Sequence, residues 1–177
     1  MKKLSLIVLF IALGFTSCKK DIADVSFNSN LSATSNEVVV NDVTRSAATT
    51  PYSTSYELDL KNSDTEDYLN KLKEIKLSDV KFYFEGLAAL AGNQVPTDLS
   101  FTINNQITFE FPGFTYDGVA QGDPIMITDT AKVQQIAELL LQNKKITVSV
   151  NGVIPDAAAH HFFVKIMAKA NITAKAL

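Results

Sequence analysis

The chain has 177 residues, long enough for one domain with a substantial core, and its 16 Lys and Arg against 19 Asp and Glu give a formal net charge of −3. This mildly acidic balance argues against nucleic acid as a partner, because nucleic-acid binding requires a basic surface. Cys18 is the only cysteine and Arg45 the only arginine, which excludes an internal disulfide and a thiolate cluster and disfavours a guanidinium clamp for phosphate.

The N-terminus has the pattern of a secretory signal. A basic start at residues 1–3 precedes an apolar stretch at residues 4–15, and the small residues Thr16 and Ser17 follow. About a dozen apolar residues are too few for a permanent transmembrane helix but are typical of a signal peptide. We therefore predict that residues 1–17 are removed from the mature protein.

The residues around Cys18 extend this prediction to a membrane anchor. Thr16-Ser17-Cys18 resembles the lipobox of bacterial lipoproteins, with Phe15 where that motif usually has Leu. The resemblance implies that Cys18 carries a diacylglyceryl thioether and fatty acids such as palmitate, and two or three acyl chains anchor a protein stably. Lys19-Lys20-Asp21 also resembles the signal that sends some lipoproteins to the cell surface. We expect an anchor in the outer membrane, surface-exposed or periplasm-facing; the alternative is an unanchored secreted protein.

Residues 18–54 are predicted to form a flexible, lipid-anchored tether. Ser, Thr, Asn and Ala dominate this segment, and its apolar residues are too scattered to build a core. Such a segment lets an anchored domain stand clear of the membrane. Residues 37–43 are open to two interpretations, a strand at a sheet edge or a partly ordered linker.

Residues 55–177 are predicted to form one mainly β domain. Apolar and polar residues alternate in several stretches, which is typical of strands with one buried face. A hairpin is predicted around Asn104-Asn105, because Asn tolerates the positive φ of tight turns. Asn151-Gly152 is predicted to close the strand before it. The predicted strands lie near residues 56–60, 80–85, 99–103, 107–111, 125–128, 146–150 and 162–176.

Two short helices are predicted between these strands. Ser63 and Glu66 have the spacing of a capping box, and apolar residues at helical spacing follow as far as Ile75. A second helix is predicted over residues 130–142, with Asp129 or the next residue as its cap. Because each strand has one apolar face, we expect an antiparallel two-sheet β-sandwich of about seven strands.

The sequence has no clear constellation for catalysis or metal binding. His160 and His161 are neighbours in a predicted strand, where neighbouring side chains point to opposite faces, so we do not expect them to share a metal. Asp117, Asp123 and Asp129 are six residues apart, which is not the spacing of an EF-hand, and turn-forming Asp is preferred over a calcium site. We predict no metal, no cofactor and no catalytic residue.

The best candidate binding surface in the sequence is the loop at residues 111–118. Phe114, Tyr116 and Asp117 lie there among glycine and proline residues, which can hold aromatic rings outward as anchors. The alternative, which we prefer, is that the rings fold back and cover one end of the core.

Three functional classes are compatible with these features. The predicted one is a membrane-anchored lipoprotein of the cell envelope whose non-catalytic domain binds a protein or glycan partner or supports an envelope complex. The second is a carrier that holds a lipid or other apolar ligand between its sheets. The third is a hydrolase of an envelope or extracellular polymer, which would need two carboxylates, or a carboxylate and a histidine, to meet in one cleft.

Overall fold

The computed structural model describes residues 23–40, 49–88, 94–155 and 158–176. These residues form a sandwich of two antiparallel β-sheets, as the alternation of apolar residues predicts. The strands are β1 (Asp24–Thr34), β2 (Val38–Val40), β3 (Thr50–Asp59), β4 (Leu72–Glu85), β5 (Thr97–Ile103), β6 (Ile107–Phe114), β7 (Ile125–Met126), β8 (Lys145–Ile154) and β9 (His160–Lys175). The helices are α1 (Asp117–Ala120) and α2 (Thr130–Asn143), and a 3₁₀ turn spans Glu66–Tyr68.

The first sheet is built around β9, the longest strand. β9 pairs with β4 on one side and with β1 and then β2 on the other, and the short β7 pairs with β4. Between β1 and β2, the backbone N–H of Ser35 donates to the Val164 carbonyl at 2.8 Å. The Ser35 hydroxyl in turn accepts from the Val164 N–H at 2.9 Å. β1 and β2 therefore cover nearly the whole length of one edge of β9.

The second sheet has the order β3, β8, β5, β6 and packs on the first through aromatic side chains. The buried rings of Phe82 in β4 and Phe101 in β5 stack with their centroids 3.8 Å apart. Towards one end of the sandwich, the ring of Tyr52 meets those of Phe84 and Phe162 edge to face. Burial of each large apolar side chain stabilises the fold by about 1.5–3 kcal/mol, so these rings are a main source of its stability.

Two local predictions are confirmed, the hairpin and the second helix. Asn104 and Asn105 have φ of 49° and 56°, the left-handed conformation that the turn between β5 and β6 requires. The Asp129 side chain caps α2 by accepting from the Lys132 N–H at 3.0 Å, and Lys144 ends the helix at φ 65°. Helix α2 contacts β4, β6 and β8, and so covers one open side of the sandwich. Its buried side chains are Ile136, Ala137 and Leu140.

The predicted tether at residues 18–54 is wrong for most of its described part. β1 and β2 lie inside that segment and pair with β9, and β3 begins at Thr50, so the described domain starts by Asp24 instead of residue 55. For residues 37–43, the strand interpretation holds over Val38–Val40. The remaining predicted tether residues, 18–22 and 41–48, lie outside the described residues.

Two predictions within the domain are also wrong. The helix predicted as far as Ile75 is only a 3₁₀ turn, because β4 already begins at Leu72 and buries Ile75 in the core. No side chain caps that turn, so the capping box predicted from Ser63 does not form. The strand β8 continues through Asn151-Gly152, which is not a turn.

Candidate functional site

A groove of about 730 Å³ crosses the outer face of the second sheet. Each of the four strands contributes three consecutive residues: 51–53, 151–153, 98–100 and 110–112. Tyr52, Gly152 and Leu99 are buried and face the core, so the residues on either side of them face the groove. This volume is within the range of small-ligand sites in proteins.

Four polar side chains, the polar row, lie side by side across the groove. Strand pairing places Ser53 opposite Asn151, Asn151 opposite Ser100, and Ser100 opposite Glu110. Because neighbouring strands are about 4.8 Å apart, the polar row is about 14 Å long. None of the four side chains hydrogen-bonds or forms an ion pair with another described residue. Their hydroxyl, amide and carboxylate groups are therefore available to a ligand.

The next row on the same face, the bonded row, is built differently. It consists of Ser55, Ser149, Thr102 and Thr108, again opposite one another on the four strands. The hydroxyls of Ser55 and Ser149 are 3.2 Å apart, and those of Thr102 and Thr108 are also 3.2 Å apart. The hydroxyls of the bonded row thus satisfy one another across the strands.

The groove also has an apolar side and an acidic charge. Pro51 and Val153 are cross-strand partners along one side, and Pro112 lies beyond them on β6. Asp98 and Glu110 add two exposed carboxylates. None of the described residues that line the groove is Lys, Arg or His. Cations and uncharged polar molecules are therefore favoured over anions at this surface.

Gly152 allows the Tyr52 side chain to cross beneath the groove. The two residues are cross-strand partners, and a Cβ atom at Gly152 would lie 2.5 Å from the Tyr52 hydroxyl. The absence of a side chain at this point lets the Tyr52 hydroxyl reach the Tyr116 hydroxyl at 2.9 Å, where both rings are buried. This tyrosine pair ties β3 to the segment that follows β6.

The environment of the tyrosine pair favours the neutral form of both side chains. Burial raises the pKa of Tyr52 well above its usual value, and negative charge on Tyr116 and the hydrogen bond to it raise this pKa further. Burial raises the pKa of Tyr116 to about 12, although the hydrogen bond from Tyr52 acts in the opposite direction. Neither tyrosine therefore acts as a base at neutral pH, and the pair has a structural role.

The predicted binding loop is wrong at Tyr116. This residue is fully buried at 0% exposure, and its ring packs edge to face on Phe84 at 5.8 Å and on Phe114 at 5.0 Å. Phe114 is half-buried and packs on Phe111, and Asp117 begins α1. The rings fold back over one end of the core, as the alternative interpretation has it, and none of Phe114, Tyr116 and Asp117 is among the described residues that line the groove.

The two histidines point to opposite faces of β9, as predicted. His160 is buried, whereas His161 is exposed and its Nδ1 lies 3.3 Å from Glu37 Oε1. Within the described ranges, no three His, Cys, Asp or Glu side chains are grouped so that they could hold a metal ion.

The sequence does not predict that Asp98 and Glu110 meet in one groove. Their convergence is the feature that the hydrolase class requires. However, one acid of a glycosidase is usually sheltered from water, and both of these side chains are exposed. The sequence also places Ser53 in the tether and Asn151 in a turn. The sequence predicts only one part of the groove, the outward-facing positions of Ser100 and Glu110 in the hairpin.

Cys18, the predicted lipidation site, lies outside the described residues. In the part of the chain that the structure describes, no helix has the length and apolarity needed to cross a membrane. A β-sandwich by itself does not imply a function, so the chemistry of the groove is the basis for a functional proposal. Comparisons with protein-family models, with curated proteins and with solved structures find no match to this chain.

Proposed function

We propose that this protein is a lipid-anchored lipoprotein of the bacterial cell envelope, and that its non-catalytic β-sandwich domain binds a protein or glycan partner through the groove. The polar row is the observation that supports binding. Its four side chains are aligned in a concave site and make no hydrogen bond to another described residue, whereas the adjacent bonded row pairs internally. A concave site with a few convergent polar groups is suited to a ligand.

The position of the groove agrees with an anchor at Cys18. β1 begins at Asp24, so at most about 20 Å of extended chain separates Cys18 from the first sheet. Asp24 pairs with Lys175 at one end of β9, whereas Tyr52 beneath the groove contacts Phe162 near the other end. These two points on β9 are about 40 Å apart at ~3.3 Å per residue. The proposed anchor would hold one end of the sandwich near the membrane and present the groove at the far end.

The mass of the mature N-terminal peptide, isolated from membranes, tests the anchor independently of the groove. We expect the peptide to begin at Cys18 and to carry acyl chains that place the protein in the outer membrane. An unmodified peptide that begins elsewhere would contradict the anchor and indicate a free secreted protein. Protease added to intact cells then distinguishes the two orientations, because only a surface-exposed domain is accessible to it.

The packing of the sandwich favours the groove over the carrier role. Phe82 and Phe101 stack between the sheets at 3.8 Å, so rings fill the space that an apolar ligand would occupy at that level. The hydrolase remains a second candidate, because Asp98 and Glu110 share the groove. If the protein is a hydrolase, wild type will release reducing ends from envelope polysaccharides, and Asp98→Asn and Glu110→Gln will not.

Photo-crosslinking in intact cells tests the binding role. A photoreactive amino acid replaces Ser100 of the polar row in one variant and Thr102 of the bonded row in a matched control. These positions are two residues apart on β5 and share one sheet face. We expect a covalent adduct, identified by mass spectrometry and glycan staining, at position 100 and not at position 102. Equal labelling at the two positions, or none at either, would contradict binding through the groove.

A further inference from the structure

We propose that the ligand of the groove is an uncharged polysaccharide chain that lies across the strands, along the polar row. This inference rests on the proposed function and names its ligand class. It follows from the charge of the groove, from its hydrogen-bonding groups and from the kinds of contact that the middle of a sheet face can offer.

The charge of the groove disfavours acidic ligands. Asp98 and Glu110 both line it, and no Lys, Arg or His is among its described lining residues. A sulfate, phosphate or uronate group would meet two carboxylates without a compensating cation, which is a repulsive element that gives specificity. An uncharged sugar chain encounters no such repulsion.

The polar row matches the hydrogen-bonding character of sugar hydroxyls. Each sugar hydroxyl can donate and accept, so a site for several of them needs both kinds of partner in alternation. Ser53 and Ser100 supply hydroxyls that do both, Asn151 supplies a donor and an acceptor, and Glu110 accepts. The first three side chains are short and stand on paired strands, so little conformational entropy is lost when they bind a ligand.

The same surface is poorly suited to a peptide or a folded protein. A peptide that adds to a sheet needs free backbone groups at an edge, whereas β5 and β8 at the centre of the polar row are each paired on both sides. Protein interfaces depend on large aromatic, Met or Arg anchors. The described side chains that face the groove are instead Ser, Asn, Asp, Glu, Pro and Val.

The apolar side of the groove completes the match. Pro51 and Val153 lie side by side next to the polar row, and Pro112 lies on β6 with Asp98 of β5 between them, so the prolines and Val153 offer aliphatic surface on both sides of Asp98. Sugar rings have C–H faces as well as hydroxyls, so a chain in the groove can bury the former on the prolines and direct the latter to the polar row. This two-sided character favours a sugar over a fully polar ligand.

The full chain, purified in detergent, is tested on an array of three probe sets: uncharged hexose and N-acetylhexosamine oligosaccharides, uronate and sulfated oligosaccharides, and Lys-rich peptides. We expect binding to uncharged oligosaccharides only. Asn151→Ala should weaken this binding about 2- to 10-fold, the loss that accompanies one or two neutral hydrogen bonds. Thr102→Val in the bonded row is the matched control and should leave binding unchanged.

Neutralising one carboxylate of the groove provides a second readout, a change in ligand preference, that does not depend on loss of folding. Asp98→Asn removes part of the repulsion and should raise the binding of acidic oligosaccharides relative to uncharged ones, with thermal unfolding unchanged. Preferential wild-type binding of sulfated chains or Lys-rich peptides would overturn the inference. If position 100 crosslinks to a protein and no oligosaccharide binds, the proposed function stands and the sugar ligand is wrong. If neither occurs, both are wrong.

Discussion

The polar row and the bonded row lie side by side on one sheet face, and small polar side chains make up most of both, yet only the bonded row pairs internally. The hydroxyls of Ser55 and Ser149 are 3.2 Å apart and hydrogen-bonded, whereas the side chains of Ser53 and Asn151, one row away on the same two strands, make no hydrogen bond to any described residue. Strand register is specified by the buried inner face, so the outer face need not pair to hold the sheet together. The difference shows which part of that face is free to carry a site.

The Tyr52 side chain lies beneath the polar row only because Gly152 has no side chain, and Gly152→Ala is expected to displace it. A Cβ atom at this position would lie 2.5, 2.7 and 2.8 Å from three atoms of the Tyr52 side chain. Overpacking of a buried ring by one methyl group should cost about 3 kcal/mol of unfolding free energy. Gly118→Ala is the matched control, because its nearest contact is the flexible Asp123 side chain at 3.1 Å. Equal losses of unfolding free energy in the two variants, measured by urea denaturation, would show that crowding of the Tyr52 ring is not the cause.

Alkaline pH is expected to destabilise the fold through the tyrosine pair beneath the groove. Burial raises the pKa of Tyr116 to about 12 in the folded state, whereas in the unfolded chain the pKa of this side chain is about 10. Above pH 10 the folded state therefore binds more protons, so Tyr116 alone lowers the free energy of unfolding by about 2 kcal/mol as pH rises from about 10 to 12, and the raised pKa of Tyr52 acts in the same direction. The control is the double variant Tyr52→Phe with Tyr116→Phe, which should show a shallower fall. Parallel curves for the two proteins would show that the pair does not titrate in this way.

Double-mutant cycles measure how strongly two side chains of one row are coupled, an effect smaller than the two above. Changing Ser55 and Ser149 to Ala, singly and together, should give a coupling energy of about 0.2–1 kcal/mol, since their hydroxyls are bonded. The same cycle on Ser53 and Asn151 should give a coupling energy close to zero. A coupling in the polar row as large as that in the bonded row would remove the distinction between them.

Much of the fold could be predicted from the sequence because its signals are local. The hairpin needs left-handed residues, which Asn104-Asn105 supplies, and α2 has its cap at Asp129. β4 was harder to predict, because register shifts between Leu72 and Glu74 and between Ser78 and Lys81 interrupt its alternation. The apolar spacing up to Ile75 then resembles that of a helix.

The N-terminal strand and the groove could not be predicted for a different reason. Only Ser29 and Leu31 are buried in the edge strand β1, so its composition resembles that of a linker. Ser53, Asn151, Ser100 and Glu110 come from four strands whose order in space differs from their order in the chain. A single sequence does not specify that order, and so it does not show which polar residues become neighbours.

The claim that the polar row is a ligand site can be tested residue by residue in a nuclear magnetic resonance titration. The full ¹⁵N-labelled chain in detergent is titrated with the uncharged oligosaccharide that binds best on the array. We predict that the amide signals of Ser53, Ser100 and Asn151 shift progressively, while those of Thr102 and Ser149 in the bonded row do not. Shifts centred on the bonded row, or no shift at either row, would contradict the claim.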